Sequence, residues 1–263
     1  MPEHIPRGDR VLEAGLINCS LPAPWLINRT GDSYRKRNQL RYMINVGRNI
    51  ARETATTHYL LVSDIELYPS PGLIPKFLDM ILRQDEPALQ RKNPRVFVLQ
   101  IFEVKRITHV PDDKNELVKM LRNGSAIAFH KYVCPSCHAV PRSDEWINTR
   151  PSADNSLKVF HIGKRKGRWE PIYIGTNRDP FYDERISWEG KGDKMPQGYV
   201  LCVYDYDLLV LDNAFLVHKP GIKRYTDDPV RPQLEKQNYD LINNVILPEL
   251  EILFGKRQGC SVM

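Results

Sequence analysis

Two periods of apolar residues organise the chain. Between Tyr34 and Thr57 they fall at Leu40, Met43/Ile44, Gly47 and Ile50/Ala51, the spacing of one helix face. The run YLLVS, starting at Tyr59, then predicts a buried strand, and it stops on two carboxylates, Asp64 and Glu66, before the turn PSPG. Leu73, Ile74, Phe77, Leu78, Ile81 and Leu82 return to helical spacing behind Ser70 and Pro71. VFVLQIFEV, from Val96 to Val104, predicts a second strand, followed by a short helix near Glu116 to Asn123. Residues 134–168, rich in Pro, Ser, Asn and charge, read as long surface loops. YVLCVYDYDLLVLDNAFLVH predicts two strands joined by a turn near Asp205, and residues 231–255 a closing helix interrupted by Pro248.

Helix and strand alternating in this way predict an α/β domain with a largely parallel sheet. Ligands of such sheets bind beyond the carboxyl ends of the strands, where Asp64 and Glu66 are expected to stand. Two hard oxygen donors two residues apart suit Mg²⁺ or Mn²⁺, which bridges phosphate oxygens. The same short pattern equally fits an acid capping a turn beside a solvated one. His218, closing an apolar strand ahead of Lys219 and the turn PGIK, fits both a structural residue and a metal ligand.

Composition narrows the function classes. At 263 residues the chain makes one large domain or two small ones, and 41% hydrophobic with 27% charged residues is the balance of a folded domain. The longest apolar stretches fall far short of the ~20 residues that cross a bilayer. MPEHIPRGDR lacks a signal-peptide core, so any export signal or anchor is expected outside this chain or is absent. A net charge of +6 suits an anionic partner. The basic residues are scattered, at Arg35 to Arg37, Arg48, Lys164 to Arg168 and Lys219 to Arg224, and form no nucleic-acid-binding motif; a phosphorylated small molecule or an acidic glycan fits them.

Sequons at Asn18, Asn28 and Asn123 tilt the reading toward the secretory pathway. Cys134 and Cys137, in CPSC, fit half a zinc site, a redox pair or a local disulfide; no second CxxC exists, and His138 alone does not complete four ligands. The final CSVM fits a prenylation box apart from Ser261, and a prenylated Cys260 would make the chain cytosolic.

Several separated blocks carry a broader signal: NVGRNIARETATTHYLLVSDIELYPSPGL, VFVLQIFEVKRITHVPDDKNELVKMLRNGSAIAFH, CPSCHAVPRSDEW, WEPIYIGTNRDPFYDERI and LLVLDNAFLVHKPGIK. In this order they resemble glycosyltransferase family 49, the family of the β-1,4-glucuronyltransferases and of the second catalytic domain of the LARGE enzymes. The resemblance runs from about Asn45 through the C-terminal helix and fades upstream of Tyr34. It implies a GT-A (Rossmann-like) α/β fold with a mixed central sheet, a UDP-sugar donor and a divalent metal, Mn²⁺ or Mg²⁺. The family's D-x-D acids map onto Asp64 and Glu66, and the histidine of its LxNAFLVHK segment onto His218. The second acid here is Glu, which reaches one methylene further.

Arg48 and Asn49 match the family's R-N, an expected donor-binding pair, with a solvated helix residue as the alternative for Arg48. Asp183 and Glu184 match its D-E-R block, where the acceptor site and the base of an inverting transfer are expected; Asp193, where the family often has Asn, competes on position. Trp169, Glu170 and Trp188 are candidates for a sugar-stacking wall, and core packing explains Trp169 as well. The resemblance favours a structural disulfide between Cys134 and Cys137.

The expected activity is transfer of glucuronic acid from UDP-glucuronate to a terminal xylose of an O-mannosyl-type glycan on a glycoprotein, in the Golgi lumen, with the full-length protein a type II membrane protein. The alternatives are transfer of another UDP-sugar, such as N-acetylglucosamine, and a non-catalytic glycan- or partner-binding scaffold. Residues 1–33 remain unassigned and residues 34–263 read as a single catalytic domain. The opening shows no strand with a uridine-binding turn, so the N-terminal part of the domain is expected to be incomplete.

Overall fold

The computed structural model describes residues 20, 34–152, 154–225 and 228–262. The sequons at Asn18 and Asn28 lie outside these residues. The chain divides into two compact units, Met1–Arg41 and Tyr42–Met263. In the first, helix α1 (Tyr34–Arg37) ends where Leu40 N donates to Arg35 O at 2.9 Å, with Gln39 at φ +53°. The helix expected across residues 34–57 is therefore two helices with a break, because the left-handed backbone at Gln39 stops the first.

The second unit is built on helix α2 (Ile44–Thr54), strands β1 (Leu60–Leu61) and β2 (Leu67–Pro69), helix α3 (Leu73–Arg83), β3 (Arg95–Val104), α4 (Lys114–Arg122), β4 (Ala126–Ala128), α5 (Ser143–Asn148), β5 (Lys158–Gly163), β6 (Tyr173–Gly175), α6 (Met195–Val203), β7 (Asp207–His218), α7 (Arg231–Leu241) and α8 (Leu247–Phe254). The seven strands form one sheet in the order β1-β6-β3-β7-β2, with β4 added to β3 and β5 to β7. Only the central pair β3 and β7 is parallel; every other pairing is antiparallel. The largely parallel sheet expected from helix–strand alternation is thus a mixed one, because short strands flank a two-strand parallel centre.

All twelve residues of β7 are buried, the continuous apolar run of a strand covered on both faces. One face of the sheet packs Val98, Phe102, Trp146 and Phe215, the other Phe77, Phe97, Leu99 and Leu216. A third cluster, Ile186, Tyr199, Ile242 and Ile246, joins the C-terminal helices to α6.

Three further expectations give way. Tyr199 to Val203 is helix, not strand: α6 is buried from Met195 to Leu201, and a helix apolar on all sides mimics a strand in sequence. Residues 134–168 hold α5 and β5 as well as loops, because Trp146 anchors α5 by donating Nε1 to Leu211 O at 2.9 Å. YLLVS narrows to a two-residue strand, since β6 pairs only Leu60 and Leu61.

The interruption expected at Pro248 lies just upstream, as a turn of π-helix over Ile242–Ile246, leaving Pro248 in the first turn of α8, where its missing N–H costs nothing. Helix α4 starts on Asp113, which accepts from Glu116 N at 2.8 Å while Glu116 reaches back to Asp112 N at 2.7 Å. Asn123, the third sequon, is exposed just past its end.

Candidate active site

Helix α2 buries its polar face. Asn45, Arg48, Asn49 and Arg52, at helical spacing, are all under 9% exposed, whereas Ile50 is 54% exposed. The apolar face expected to be buried is therefore not the buried one. A polar face can be buried because loop carbonyls satisfy it. Asn45 Nδ2 donates to Asp183 O at 2.7 Å and Asp193 O at 2.8 Å. Arg52 donates to Pro180 O and Asp179 O, each at 2.7 Å. Asn49 donates to Tyr182 O and to Glu184 Oε1, each at 2.9 Å, and accepts from Tyr182 N at 3.1 Å. The helix thereby fixes the 176–193 loop, which carries the acids read as acceptor-side residues.

Arg48 sits between two of the site's acids. It donates to Asp64 Oδ1 at 2.9 Å and to the Asp193 carboxylate, and its guanidinium lies 5.3 Å from the Tyr182 ring centre. Lys194 continues the array, 3.5 Å from Asp193 and 3.7 Å from Glu170. Burial opposes every one of these charges, and the alternation of sign decides the outcome. Burial pushes the Asp193 carboxyl up, but Lys194 and Arg48 bring it down to about 2. Asp64 is likewise held below the carboxylate range, against burial, by Lys194 and Arg48. Glu170 goes the other way: burial raises it and Lys194 only partly offsets that.

Asp64 and Glu66 stand in the turn between β1 and β2, where Leu67 N donates to Asp64 O at 3.0 Å. Ile65 between them is 96% exposed. The register of β2 on β7 pairs Leu67 with His218, and Lys219 N donates to Glu66 O at 3.3 Å, so the two acids and the histidine share one sheet end. His218 is 1% exposed; its Nδ1 engages Gly221 O at 2.8 Å, and its Nε2 is buried without a hydrogen-bond partner. Burial, then Lys223, lowers its pKa, so the ring is neutral with the Nε2 lone pair available.

Two oxygen donors and an orphaned imidazole nitrogen are a chemically apt set for a divalent cation. The side chains are not drawn together around one point, however: among the described residues no three His, Cys, Asp or Glu stand close enough to hold a metal ion. Asp64 gives one oxygen to Arg48, and Glu66 lies 3.8 Å from Lys223.

Asp183 is bound by Arg185, at 3.0 Å to Nε and 2.7 Å to Nη2, and Arg185 also meets Glu249 at 2.8 Å. Glu184 is exposed. Trp169 is in the core, while Trp188 is 47% exposed under Arg231. Sequence reasoning missed Lys194 and the roles of Glu170 and His138. Lys194 sits in no motif, and His138, 32 residues from the Glu170 carbonyl it meets, was legible only as a possible zinc ligand. In the structure its Nδ1 engages Glu170 O at 3.0 Å.

The sulfurs are paired. Cys134 bonds Cys137, as the resemblance implied, and Cys202 bonds Cys260. The C-a-a-X reading of CSVM fails on this, because the Cys260 sulfur is committed to a disulfide and Val262 is buried.

A mixed α/β sheet with a histidine closing its central strand β7 and two acids beside it in the turn before β2 fits a GT-A-like glycosyltransferase fold. The chain belongs to glycosyltransferase family 49: the family model described as glycosyl-transferase for dystroglycan matches residues 2–255. It is 32% identical over 218 residues to beta-1,4-glucuronyltransferase 1 of Danio rerio, covering 81% of this chain and 49% of the relative. To the Homo sapiens protein of that name it is 28% identical, covering 86% and 52%. It is 32% identical to xylosyl- and glucuronyltransferase LARGE2s of Gallus gallus, covering 68% and 23%. The chain thus spans about half the length, or less, of these relatives.

Proposed function

We propose that the chain is a metal-dependent, inverting glycosyltransferase that moves glucuronic acid from UDP-glucuronate to a terminal xylose of an O-mannosyl-type glycan. The observation that carries this reading is the buried, unpartnered Nε2 of His218 at the sheet end that also holds Asp64 and Glu66. Donor and acceptor follow from the names of the relatives and from the family resemblance.

Asp64, Glu66 and His218 would hold Mn²⁺ or Mg²⁺, which supplies charge stabilisation for the diphosphate leaving group. Arg48 keeps Asp64 ionised and oriented, and with Asn49, which bonds Tyr182 O, holds the 176–193 loop against the donor side. The acceptor hydroxyl's proton goes to the Asp183–Glu184 pair. Of the two, Glu184 is exposed, whereas Asp183 is neutralised by Arg185. Asp193, buried with a pKa of about 2, is a poor proton acceptor. Two disulfides suit an oxidising lumen such as the Golgi, as does the exposed Asn123 sequon. No helix among the described residues is long and apolar enough to cross a membrane, so membrane association is assigned to an anchor outside them.

One observation favours a second reading, a non-catalytic glycan-binding scaffold: the described side chains do not gather into a three-ligand group. Calorimetric titration of UDP, with and without Mn²⁺, into the parent and Asp64→Ala separates the two. The enzyme reading expects manganese-dependent binding that Asp64→Ala abolishes, followed by turnover of UDP-glucuronate in a donor screen. No UDP binding by the folded parent would point to the scaffold reading or to an incomplete nucleotide site instead.

A further inference from the structure

A cavity of about 640 Å³ opens between β3, the Cys134–Cys137 loop and α5, and the reading above leaves it without a use. Ile101, Ala128, Val140 and Ile147 supply apolar lining, Gln100, His138 and Ser143 neutral polar groups, and Arg142, Asp144 and Glu145 the charged ones. Its size is that of an ordinary small-ligand site. Phe129 and His138 line it, and Phe129 links it to the metal-side histidine: the Phe129 ring lies 5.1 Å from the His138 ring and 5.7 Å from that of His218. The cavity is therefore the next compartment along from the sheet end that carries Asp64 and Glu66.

The polar lining says what fits. Gln100 is 3% exposed; its Oε1 accepts from Ser143 Oγ at 3.0 Å, but its Nε2 has no partner. A buried amide donor left unpaired is destabilising, and a ligand acceptor would pair it. His138 Nδ1 donates to the Glu170 carbonyl, so its Nε2 is an acceptor. A donor and an acceptor on one apolar lining match hydroxyls, which do both. The cation that lines the cavity, Arg142, is already forked onto Glu145, at 2.9 and 3.0 Å from Nε, which leaves no free positive charge for a phosphate or a uronate.

We propose that this cavity binds a neutral pyranose unit of the acceptor glycan, held by Gln100 and His138 over the Ile101–Val140 lining. The proposal rests on the glycosyltransferase reading for the word acceptor, while the binding itself stands on the cavity. The disulfide loop gains a role from it, because Pro135 and His138, within and beside that loop, form one wall.

The test is saturation-transfer NMR with methyl β-pyranosides of xylose, glucose, galactose and N-acetylglucosamine on the parent chain, Gln100→Met and Ala139→Trp. Gln100→Met removes the donor at similar volume. Ala139→Trp fills the cavity from an exposed lining position without touching Gln100 and so covers the case in which Gln100→Met fails to fold. At least one pyranoside is expected to saturate on the parent, weakened up to about tenfold by Gln100→Met and blocked by Ala139→Trp. UDP titration is expected to be unchanged in both. Parent-like pyranoside binding by folded Ala139→Trp, or no pyranoside bound by the parent, overturns the proposal. Absence of UDP binding beside intact, variant-sensitive pyranoside binding overturns the transferase reading alone.

Discussion

Arg48 shows how one residue sets the electrostatics of the site. It is buried and pairs at once with Asp64 and Asp193, so truncation leaves buried Asp193 to Lys194 alone and takes from part-exposed Asp64 its ion pair. Breaking a buried pair from one side costs about 3–5 kcal/mol. Arg48→Ala is expected to lower the urea-derived unfolding free energy by about that amount. Adding Asp193→Asn should recover part of the loss, a coupling that a double-mutant cycle reads directly. Parent-like stability of Arg48→Ala would mean that the guanidinium serves ligand binding rather than the fold.

His138 sets a pH limit. Burial, then Lys194, holds its pKa down to about 4, and burial with His138 holds His130 down to about 3. The unfolded chain titrates these rings near 6.5, so below that pH the unfolded state binds more protons and stability falls as pH drops from about 6.5 to about 4. His138 alone accounts for a loss of about 3 kcal/mol by pH 4. Glu170 runs against this trend, since burial raises its carboxyl, whereas Asp64 and Asp193 add to it only at lower pH. His138→Gln should flatten the plot of denaturation midpoint against pH between 6.5 and 4; an unchanged slope would contradict the burial assigned to this ring.

At the scale of elements, what the sequence declared depended on whether a segment buries one apolar face. Helix α3 does so and strand β3 buries an unbroken apolar run on both faces, and the extents of both were legible to within a residue or two. Helix α2 was legible as a helix but with the wrong side inward, because the partners that make its polar face buriable are carbonyls 125 or more residues away. Helix α6 was misread because burial on every side erases periodicity. The same distinction divides the site. Asp64, Glu66 and His218 are placed at one sheet end by the backbone register of β2 on β7, which short sequence blocks encode, although their side chains do not gather around one point. The Arg48–Asp193–Lys194–Glu170 array and the Gln100 cavity each assemble side chains from three separate segments, and no local pattern announces them.

At the scale of the whole second unit, the two disulfides differ in what they hold. Cys134–Cys137 closes a separation of 3 residues and Cys202–Cys260 one of 58. If cross-links act by restricting the unfolded chain, the first is worth about 2 kcal/mol and the second about 4. The longer one also fastens the C-terminal residues onto α6 and its surroundings. There Val262 is buried, Arg165 donates to Ser261 O, and Tyr199 Oη donates to Gly255 O at 3.0 Å. Cys202→Ser is therefore expected to lower the urea midpoint more than Cys134→Ser does, and dithiothreitol to lower the parent's midpoint to about that of the double variant. Mass spectrometry after thiol alkylation checks the premise: without reductant, Cys202 and Cys260 of the folded chain should stay unlabelled. Free, labelled Cys260 would remove the clamp and with it this argument for an oxidising compartment, and would return the C-terminal sulfur to the chemistry of a reducing one.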